Sequence, residues 1–144
     1  MKYLLILSVF LFNTAFAEIY KDYEPSEQHI QLTVVAVETN YLDDYLVNLN
    51  KTYIREMEVM KELGHIVNYG VYTSDSANSP NVWFTVTYEN MAAMQPNEEQ
   101  YKQVRKILKE RFEESEDEIV TISKSYEEIR KMVDNQIINK VNFK

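Results

Sequence analysis

The sequence predicts an α+β domain in which helices cover one face of a four-stranded antiparallel sheet. In some stretches apolar residues recur at every second position, which is the period of a strand; in others they recur every three or four positions, which is the period of a helix. These stretches follow one another as strand, long helix, strand, strand, helices, strand. Since only a short polar turn joins the two central strands, the order predicts a β-α-β-β-α-β unit with one extra helix before the last strand.

The first half of this unit is a strand over 29–37 followed by one long amphipathic helix. We expect the helix to begin after Asn40, whose side chain is a good N-cap, and to end at Gly64, because glycine favours the left-handed conformation after a helix. Its predicted apolar stripe recurs at steps of three and four and consists of Leu42, Leu46, Leu49, Tyr53, Met57, Met60 and Leu63.

The central hairpin is predicted from two strands of high β-propensity, over 66–73 and 82–88, on either side of a Ser/Asn/Pro turn. A turn centred near residues 76 and 77 pairs Tyr72 with Val82 or Trp83 and brings Asn68 near Thr87. Period-two alternation then places the aromatic side chains at one end of a face and the small hydroxyls at the other.

The second half contains two helices and a final strand over 135–143. The first helix begins near Asn97, and the second covers roughly 117–133. Their inward-facing residues are predicted to be Tyr101, Val104, Leu108 and Phe112 on the first, and Ile119, Ile122, Tyr126, Ile129 and Val133 on the second. The acidic residues between them, from Glu110 to Glu118, are interpreted as a solvated helix junction.

The N-terminus is typical of a secretory signal peptide. Lys2 precedes an apolar run over 3–12, and Ala15-Phe16-Ala17 is a small-x-small cleavage site. The run is about half the roughly 20 residues that a membrane-spanning helix needs. We therefore expect a signal peptide over 1–17, a mobile N-terminal segment over 18–28 and a single domain over 29–144, located in the periplasm or secreted, with no membrane attachment after cleavage.

Composition excludes several classes of function. The net charge is −8, which repels phosphate backbones and makes nucleic acid an unsuitable partner. The chain has no cysteine, so a thiol nucleophile and a cysteine-rich metal site are excluded. It has only two glycines, which excludes a glycine-rich phosphate-binding loop.

No catalytic or metal-binding set emerges from the remaining polar residues. The two histidines, His29 and His65, open a strand and follow a helix-ending glycine, and neither has a carboxylate three or four positions later. We therefore predict no catalytic residue, no metal ligand and no cofactor.

The alternation assigns each strand residue to one of two sheet faces. The helix-facing set is predicted to be Ile30, Leu32, Val34, Val67, Tyr69, Val71, Val82, Phe84 and Val86. The open face is predicted to carry Gln31, Thr33, Val35, Val37, Asn68, Gly70, Tyr72, Trp83, Thr85 and Thr87. Such a face is aromatic and uncharged, so it suits a partner or a ligand better than water.

This order of elements resembles the dimeric α+β barrel superfamily of ferredoxin-like folds, in particular its small exported members. The resemblance covers about residues 30–143 and rests on the strand IQLTVVAV, the helix YLDDYLVNLNKTYIREMEVMKELG, and the strands IVNYGVYT and VWFTVTYEN. It implies that two protomers pair through their open sheet faces to form a homodimeric barrel with an interior cavity. Members of the superfamily include cofactor-free monooxygenases, isomerases and proteins without known activity, so the resemblance leaves function open.

Two functions remain possible from the sequence. The preferred one is a non-enzymatic homodimer that binds a small apolar or aromatic ligand in the barrel; the alternative is a cofactor-free monooxygenase or cyclase acting on an aromatic substrate. The preference follows from the lack of an acid–base pair at a defined spacing. The candidate pocket residues, which cross-strand packing alone also explains, are Asn68, Tyr72, Trp83, Thr85 and His65.

Overall fold

The structure of the protein is a computed structural model that describes residues 17–75, 80–112 and 116–144. Residues 1–16, 76–79 and 113–115 lie outside this described part, so the predicted signal peptide, the predicted hairpin turn and part of the predicted acidic junction are not described. The main elements are β1 (Tyr23–Val37), α1 (Leu42–Leu49), a π-helical segment (Asn50–Ile54), α2 (Arg55–Glu62), β2 (Asn68–Thr73), β3 (Val82–Tyr88), α3 (Glu98–Arg111), α4 (Glu116–Ile129) and β4 (Arg130–Phe143).

These elements form one four-stranded sheet with the strand order β2-β3-β1-β4. All three neighbouring pairs are antiparallel. The two hairpin strands therefore pair with each other, while β1 lies between β3 and the last strand. This arrangement confirms the predicted α+β fold class and the β-α-β-β-α-β order.

The outer strands are longer than the sequence predicted. β1 begins at Tyr23 rather than His29, so it extends into the predicted N-terminal segment, where Tyr23 lies opposite Phe143. β4 begins at Arg130 rather than residue 135, because its first residues pair with Val37 and its neighbours on β1. Val133 was wrongly expected on the inner side of a helix: it lies on β4 and is exposed.

The predicted long helix is interrupted by the π-helical segment and starts differently. Residues 39–41 form a short 3₁₀ turn, and no side chain caps α1, so the prediction of Asn40 as N-cap is wrong. The end of the helix is as predicted. Gly64 has φ 71°, its N–H donates to the Lys61 carbonyl at 3.0 Å, and the His65 N–H donates to the Met60 carbonyl at 2.9 Å. This pair of bonds is a Schellman ending, which satisfies carbonyls that the helix leaves free.

The π-helical segment also changes which residues are buried. A wider turn shifts the phase of the helix, so a single 3.6-residue stripe cannot describe both α1 and α2. Tyr45 and Val59 are almost completely buried, although the predicted stripe contains neither. The main core lies between this helical region, α4 and the sheet, and consists of Val35, Val37, Tyr45, Leu49, Val82, Phe84 and Tyr126.

The two faces of β1 are reversed relative to the prediction. Val35 lies directly opposite Val82, and both are fully buried under the helices. Since directly paired residues point to the same face, Val37, Thr33 and Gln31 also face the helices. Ile30, Leu32 and Val34 consequently lie on the open face. The predicted faces of β2 and β3 agree with the observed pairing.

In α3 and α4, fewer of the predicted inward-facing residues are buried than expected. Asn97 caps α3 as predicted, since its side-chain oxygen accepts from the N–H groups of Glu99 and Gln100, each at 3.0 Å. Val104 is buried, but Tyr101 is 63% exposed and does not face the core. Within the described residues, no helix is long and apolar enough to cross a membrane.

Candidate functional site

The structure contains a large cleft between the helices and the helix-facing side of the sheet. Its volume is about 1350 Å³. β1 and β3 form the floor, through Gln31, Thr33, Phe84 and Val86, while the π-helical segment and α2 form one wall. Residues of α3 and α4 line the other side. The cleft is therefore built from elements that are distant in sequence.

One end of the cleft is aromatic, and Tyr53 lies at its centre. The Tyr53 ring meets the Phe84 ring edge-on with centroids 5.0 Å apart, and it meets Tyr69 edge-on at 6.5 Å. Met57 and Met60 follow on α2 and line the same cleft. Edge-to-face contacts and flexible thioethers make such a wall suited to a planar apolar ligand.

The hydroxyl of Tyr53 is the unusual group at this end. It is buried, yet it makes no hydrogen bond to any described residue. Burial raises the pKa of Tyr53 strongly, with smaller contributions from Tyr88, Tyr69 and Glu56. The group is therefore a neutral donor at any physiological pH, and an unpaired buried hydroxyl is costly enough to need a partner.

Glu56 lies one turn after Tyr53 and lines the same cleft. Burial raises the pKa of the Glu56 carboxyl, and the positive charge of Arg105 partly opposes this shift. Arg105 itself is paired with Glu116 at 3.2 Å, so it is shared between two carboxylates. Among the described residues, no side chain donates a hydrogen bond to Glu56. The cleft thus presents an acceptor beside the Tyr53 donor.

At the end nearer β4, the cleft is closed by a cation among aromatic rings. Arg130 donates to the Tyr45 hydroxyl at 2.9 Å and lies 4.9 Å from the centre of the Tyr126 ring. The Tyr126 hydroxyl is hydrogen-bonded to Thr52 at 3.0 Å. Because these side chains are hydrogen-bonded to one another, they stabilise the wall of the cleft and are not available to bind a ligand.

The predicted pocket residues lie on the opposite, open face of the sheet. Tyr72 is opposite Trp83, which is one of the two partners left open by the sequence, and Asn68 is opposite Thr87, as predicted. Trp83 is half-buried and points away from the helices. Tyr72 is 58% exposed.

Local contacts account for part of this face. The Tyr72 ring lies over Gly70, where an added Cβ would stand 2.8 Å from the ring. The Asn68 side chain accepts a hydrogen bond from the Lys61 ammonium at 2.9 Å. None of the five predicted residues lines the cleft.

Neither histidine lines the cleft. His65 directly follows the end of α2, and its Nδ1 is buried without a hydrogen-bond partner among the described residues. His29 is on β1, where its Nδ1 is 2.9 Å from the Glu27 carbonyl oxygen.

Sequence reasoning missed Glu56 as a cleft residue. The signal was present, because Tyr53, Glu56 and Met60 are spaced three and four positions apart, which places a carboxylate within the apolar stripe. A charged residue at a position that faces the interior is uncommon and marks a candidate site. Arg105, in contrast, is brought there by the packing of a separate helix.

No protein-family model and no curated protein matches the chain. Several solved structures are similar to it. HapK from Hahella chejuensis has a TM-score of 0.47 and 8% sequence identity, with 78% of this chain and 91% of that chain covered. An uncharacterised NIPSNAP-like domain protein from Burkholderia xenovorans has a TM-score of 0.42 and 15% identity, with 80% and 83% covered.

A dimeric ferredoxin-like protein from an uncultured marine organism has a TM-score of 0.40 and 10% identity, with 85% of this chain and 89% of that chain covered. Similarities of this size concern the fold and not the activity. The strand order β2-β3-β1-β4 and the two crossover connections through helices are features of this chain itself. By that topology, the chain is a ferredoxin-like α+β protein, as its sequence resemblance implied.

Proposed function

We propose that this protein is an exported homodimer that binds a small aromatic molecule in the cleft between its helices and its sheet. The observation that carries the proposal is the buried Tyr53 hydroxyl, unpaired within the described residues, beside the Phe84 ring that also lines the cleft. Ligand sites are typically concave and mostly apolar, with a few polar groups that orient the ligand. This cleft has that composition.

Dimerisation is proposed from the open face. Ile30, Leu32 and Val34 of β1 lie there beside Trp83, and Tyr72 is exposed at one end. Within one protomer Val34 is already buried at 9% exposure, but Ile30, Leu32 and Trp83 are only partly buried, so apolar surface remains open on this face. A second copy that presents the same face would cover this surface through a two-fold interface, as the family resemblance implies. Export is proposed from the signal-peptide pattern of residues 1–17.

The open-face residues give a rival location for the ligand. If two protomers enclose a space between their sheets, Asn68, Tyr72, Trp83 and Thr85 would line it, and the ligand would contact the only tryptophan of the chain. A ligand there would change Trp83 fluorescence directly. The two locations lie on opposite faces, so single variants separate them.

A cofactor-free enzyme acting on an aromatic substrate is the second candidate. The observation that favours it is Glu56, whose pKa is raised by burial beside the unpaired Tyr53 hydroxyl. A carboxyl with a raised pKa in a cleft is a candidate proton acceptor. Binding remains the preferred conclusion, because it requires only the cleft and its walls.

The proposal is tested with N-phenyl-1-naphthylamine, a neutral fluorescent aromatic probe. We expect saturable binding to the purified protein. Thr33→Phe fills the cleft floor and should weaken binding at least about tenfold, since it occupies the ligand's volume. Trp83→Ala, on the other face, should leave the affinity unchanged. Circular dichroism of both variants checks that they are folded.

Each contrary result has a definite meaning. If Trp83→Ala abolishes binding and Thr33→Phe does not, the ligand lies between the protomers and the cleft assignment is wrong. If the probe does not bind to the unmodified protein, the small-molecule function is wrong. A native mass equal to one chain would contradict the homodimer.

A further inference from the structure

The polar groups of the cleft indicate that its ligand carries a polar group in addition to an apolar ring. Tyr53 and Glu56 are three residues apart on the same helical wall, and both line the cleft. The Tyr53 hydroxyl is a buried donor without a partner among the described residues. The Glu56 carboxyl is partly buried, and the charge of Arg105 acts on it. The pair therefore offers one hydrogen-bond donor and one acceptor to whatever occupies this part of the cleft.

The backbone supplies a second, independent observation. Tyr53 lies within the π-helical segment Asn50–Ile54, and Glu56 follows in the first turn of α2. π-helical turns are rare and frequently occur at functional sites, since the wider turn is a local departure from the more stable α-helix. Here the π-helical turn occurs where the helix crosses the cleft.

We propose that Tyr53 and Glu56 together hold a single hydroxyl group of an aromatic ligand. The Tyr53 hydroxyl donates to the ligand oxygen, and the Glu56 carboxylate accepts a hydrogen bond from the ligand O–H. This inference rests on the proposed function, because it assumes that the ligand occupies the cleft. Phe84, Met57 and Met60, which line the cleft, contact the ring that carries the hydroxyl.

A hydroxyl fits this pair better than other small polar groups. Its oxygen accepts from Tyr53 while its proton is donated to Glu56, so one group satisfies both. An ether or ketone oxygen accepts from Tyr53 but leaves Glu56 without a donor. An aromatic amine donates to Glu56, but its nitrogen is a poor acceptor for Tyr53 because its lone pair is delocalised into the ring. Because the Tyr53 hydroxyl is buried, leaving its bond unmade is costly, whereas a donor to the partly buried Glu56 carboxylate adds a charge-assisted hydrogen bond.

Three probes of nearly equal size separate these contributions: naphthalene, 2-methoxynaphthalene and 2-naphthol. The first has no polar group, the second only accepts, and the third accepts and donates. We expect the unmodified protein to bind 2-naphthol at least about tenfold more tightly than naphthalene, with the methyl ether between them. Affinities are measured by titrating each probe's own fluorescence with the purified protein.

Two isosteric variants then assign the bonds. Tyr53→Phe should weaken the binding of 2-naphthol and of 2-methoxynaphthalene several-fold, and it should leave the affinity for naphthalene unchanged. Glu56→Gln should weaken the binding of 2-naphthol several-fold, because the amide oxygen is a weaker acceptor than a carboxylate. The affinities for the other two probes should be unchanged. Tyr101→Phe and Glu99→Gln, at exposed positions of α3, are the matched controls and should change nothing.

The outcomes distinguish this inference from the function on which it rests. If all three probes bind equally well and Thr33→Phe weakens them all, the cleft binds aromatic molecules, but the hydroxyl assignment is overturned. If 2-naphthol is preferred and neither variant reduces the preference, other groups recognise the hydroxyl and the inference is wrong. If no probe binds, the proposed function is wrong, and the inference that rests on it is overturned as well.

Discussion

The two faces of the sheet differ in what covers them more than in what they are made of. On the helix side, Val35, Val82 and Phe84 are almost completely buried. On the open side, Val34 is also buried, but the larger aromatic side chains are less covered: Trp83 is half-buried and Tyr72 is mostly exposed. The difference teaches that alternation in a sequence identifies two faces but does not say which one the helices cover.

β1 illustrates the difficulty most clearly. Its central residues Leu32, Val34 and Val35 are apolar on both faces, so the pattern has no polar side from which to assign a direction. The pairing of Val35 with Val82 decides the matter, because β3 alternates clearly between large apolar residues and threonines. A one-residue error of this kind exchanges every side chain of a strand between the two faces.

The largest expected difference between the faces concerns stability. Phe84→Ala removes a buried ring from the core and should lower the free energy of unfolding by about 3–5 kcal/mol. Thr85→Ala, the next residue and on the other face, should lower it by less than about 0.5 kcal/mol. Urea denaturation followed by circular dichroism measures both. Equal losses would mean that both faces are equally buried within one protomer.

The next prediction concerns association through the open face. Thr85→Lys places a charge where the homodimer buries this face, and it should raise the dimer dissociation constant at least about 30-fold. Thr73→Lys, at an exposed position on the helix-facing side at the sheet edge, is the matched control and should leave association unchanged. Light scattering coupled to size-exclusion chromatography gives the mass. A dimer that survives Thr85→Lys unchanged would show that another surface forms the interface.

A smaller effect is expected at the end of the sheet, where Asn81 joins β1. Its side chain accepts from the Val37 N–H at 2.8 Å and donates to the Val37 carbonyl at 2.9 Å, and the residue is 2% exposed. Asn81→Ala leaves both backbone groups without these partners and should lower the free energy of unfolding by about 2 kcal/mol. Asn142→Ala on β4 is the control. If Asn81→Ala costs no more than the control, water replaces the lost bonds.

The smallest expected effect is the pH dependence contributed by the cleft. Burial raises the pKa of the Glu56 carboxyl in the folded protein above its ordinary value of 4.5. The folded state then holds this proton more tightly than the unfolded state, so stability decreases as pH rises above 4.5 and the carboxyl ionises. Glu56→Gln should therefore be more stable than the unmodified protein at pH 7, and this advantage should disappear at acid pH.

Thermal unfolding at several pH values measures this difference, with the exposed Glu99→Gln variant as control. An advantage of Glu56→Gln that persists unchanged into acid would mean that ionisation of Glu56 is not its cause. The two sheet faces would then differ in how tightly they are packed, but ionisation in the cleft would not contribute to the difference.

The order and type of the elements were determined by the sequence itself. Local signals were sufficient for these features: Gly64 ends the long helix, Asn97 caps α3, and the short polar segment between the hairpin strands limits the partner of Tyr72 to Val82 or Trp83. Each depends on residues that are near one another in the chain. Backbone preferences and turn lengths act over that range, so a single sequence contains the information.

The features decided by tertiary structure depend on residues that are far apart in the chain. Pairing with β1 turns residues 130–134 into strand instead of helix, and the helices select the face of β1 that carries Val35. The cleft brings Tyr53 and Glu56 together with Arg105 and the floor of the sheet. Burial is a property of the whole assembly of layers, because it depends on what packs against each face, and no local pattern contains that information.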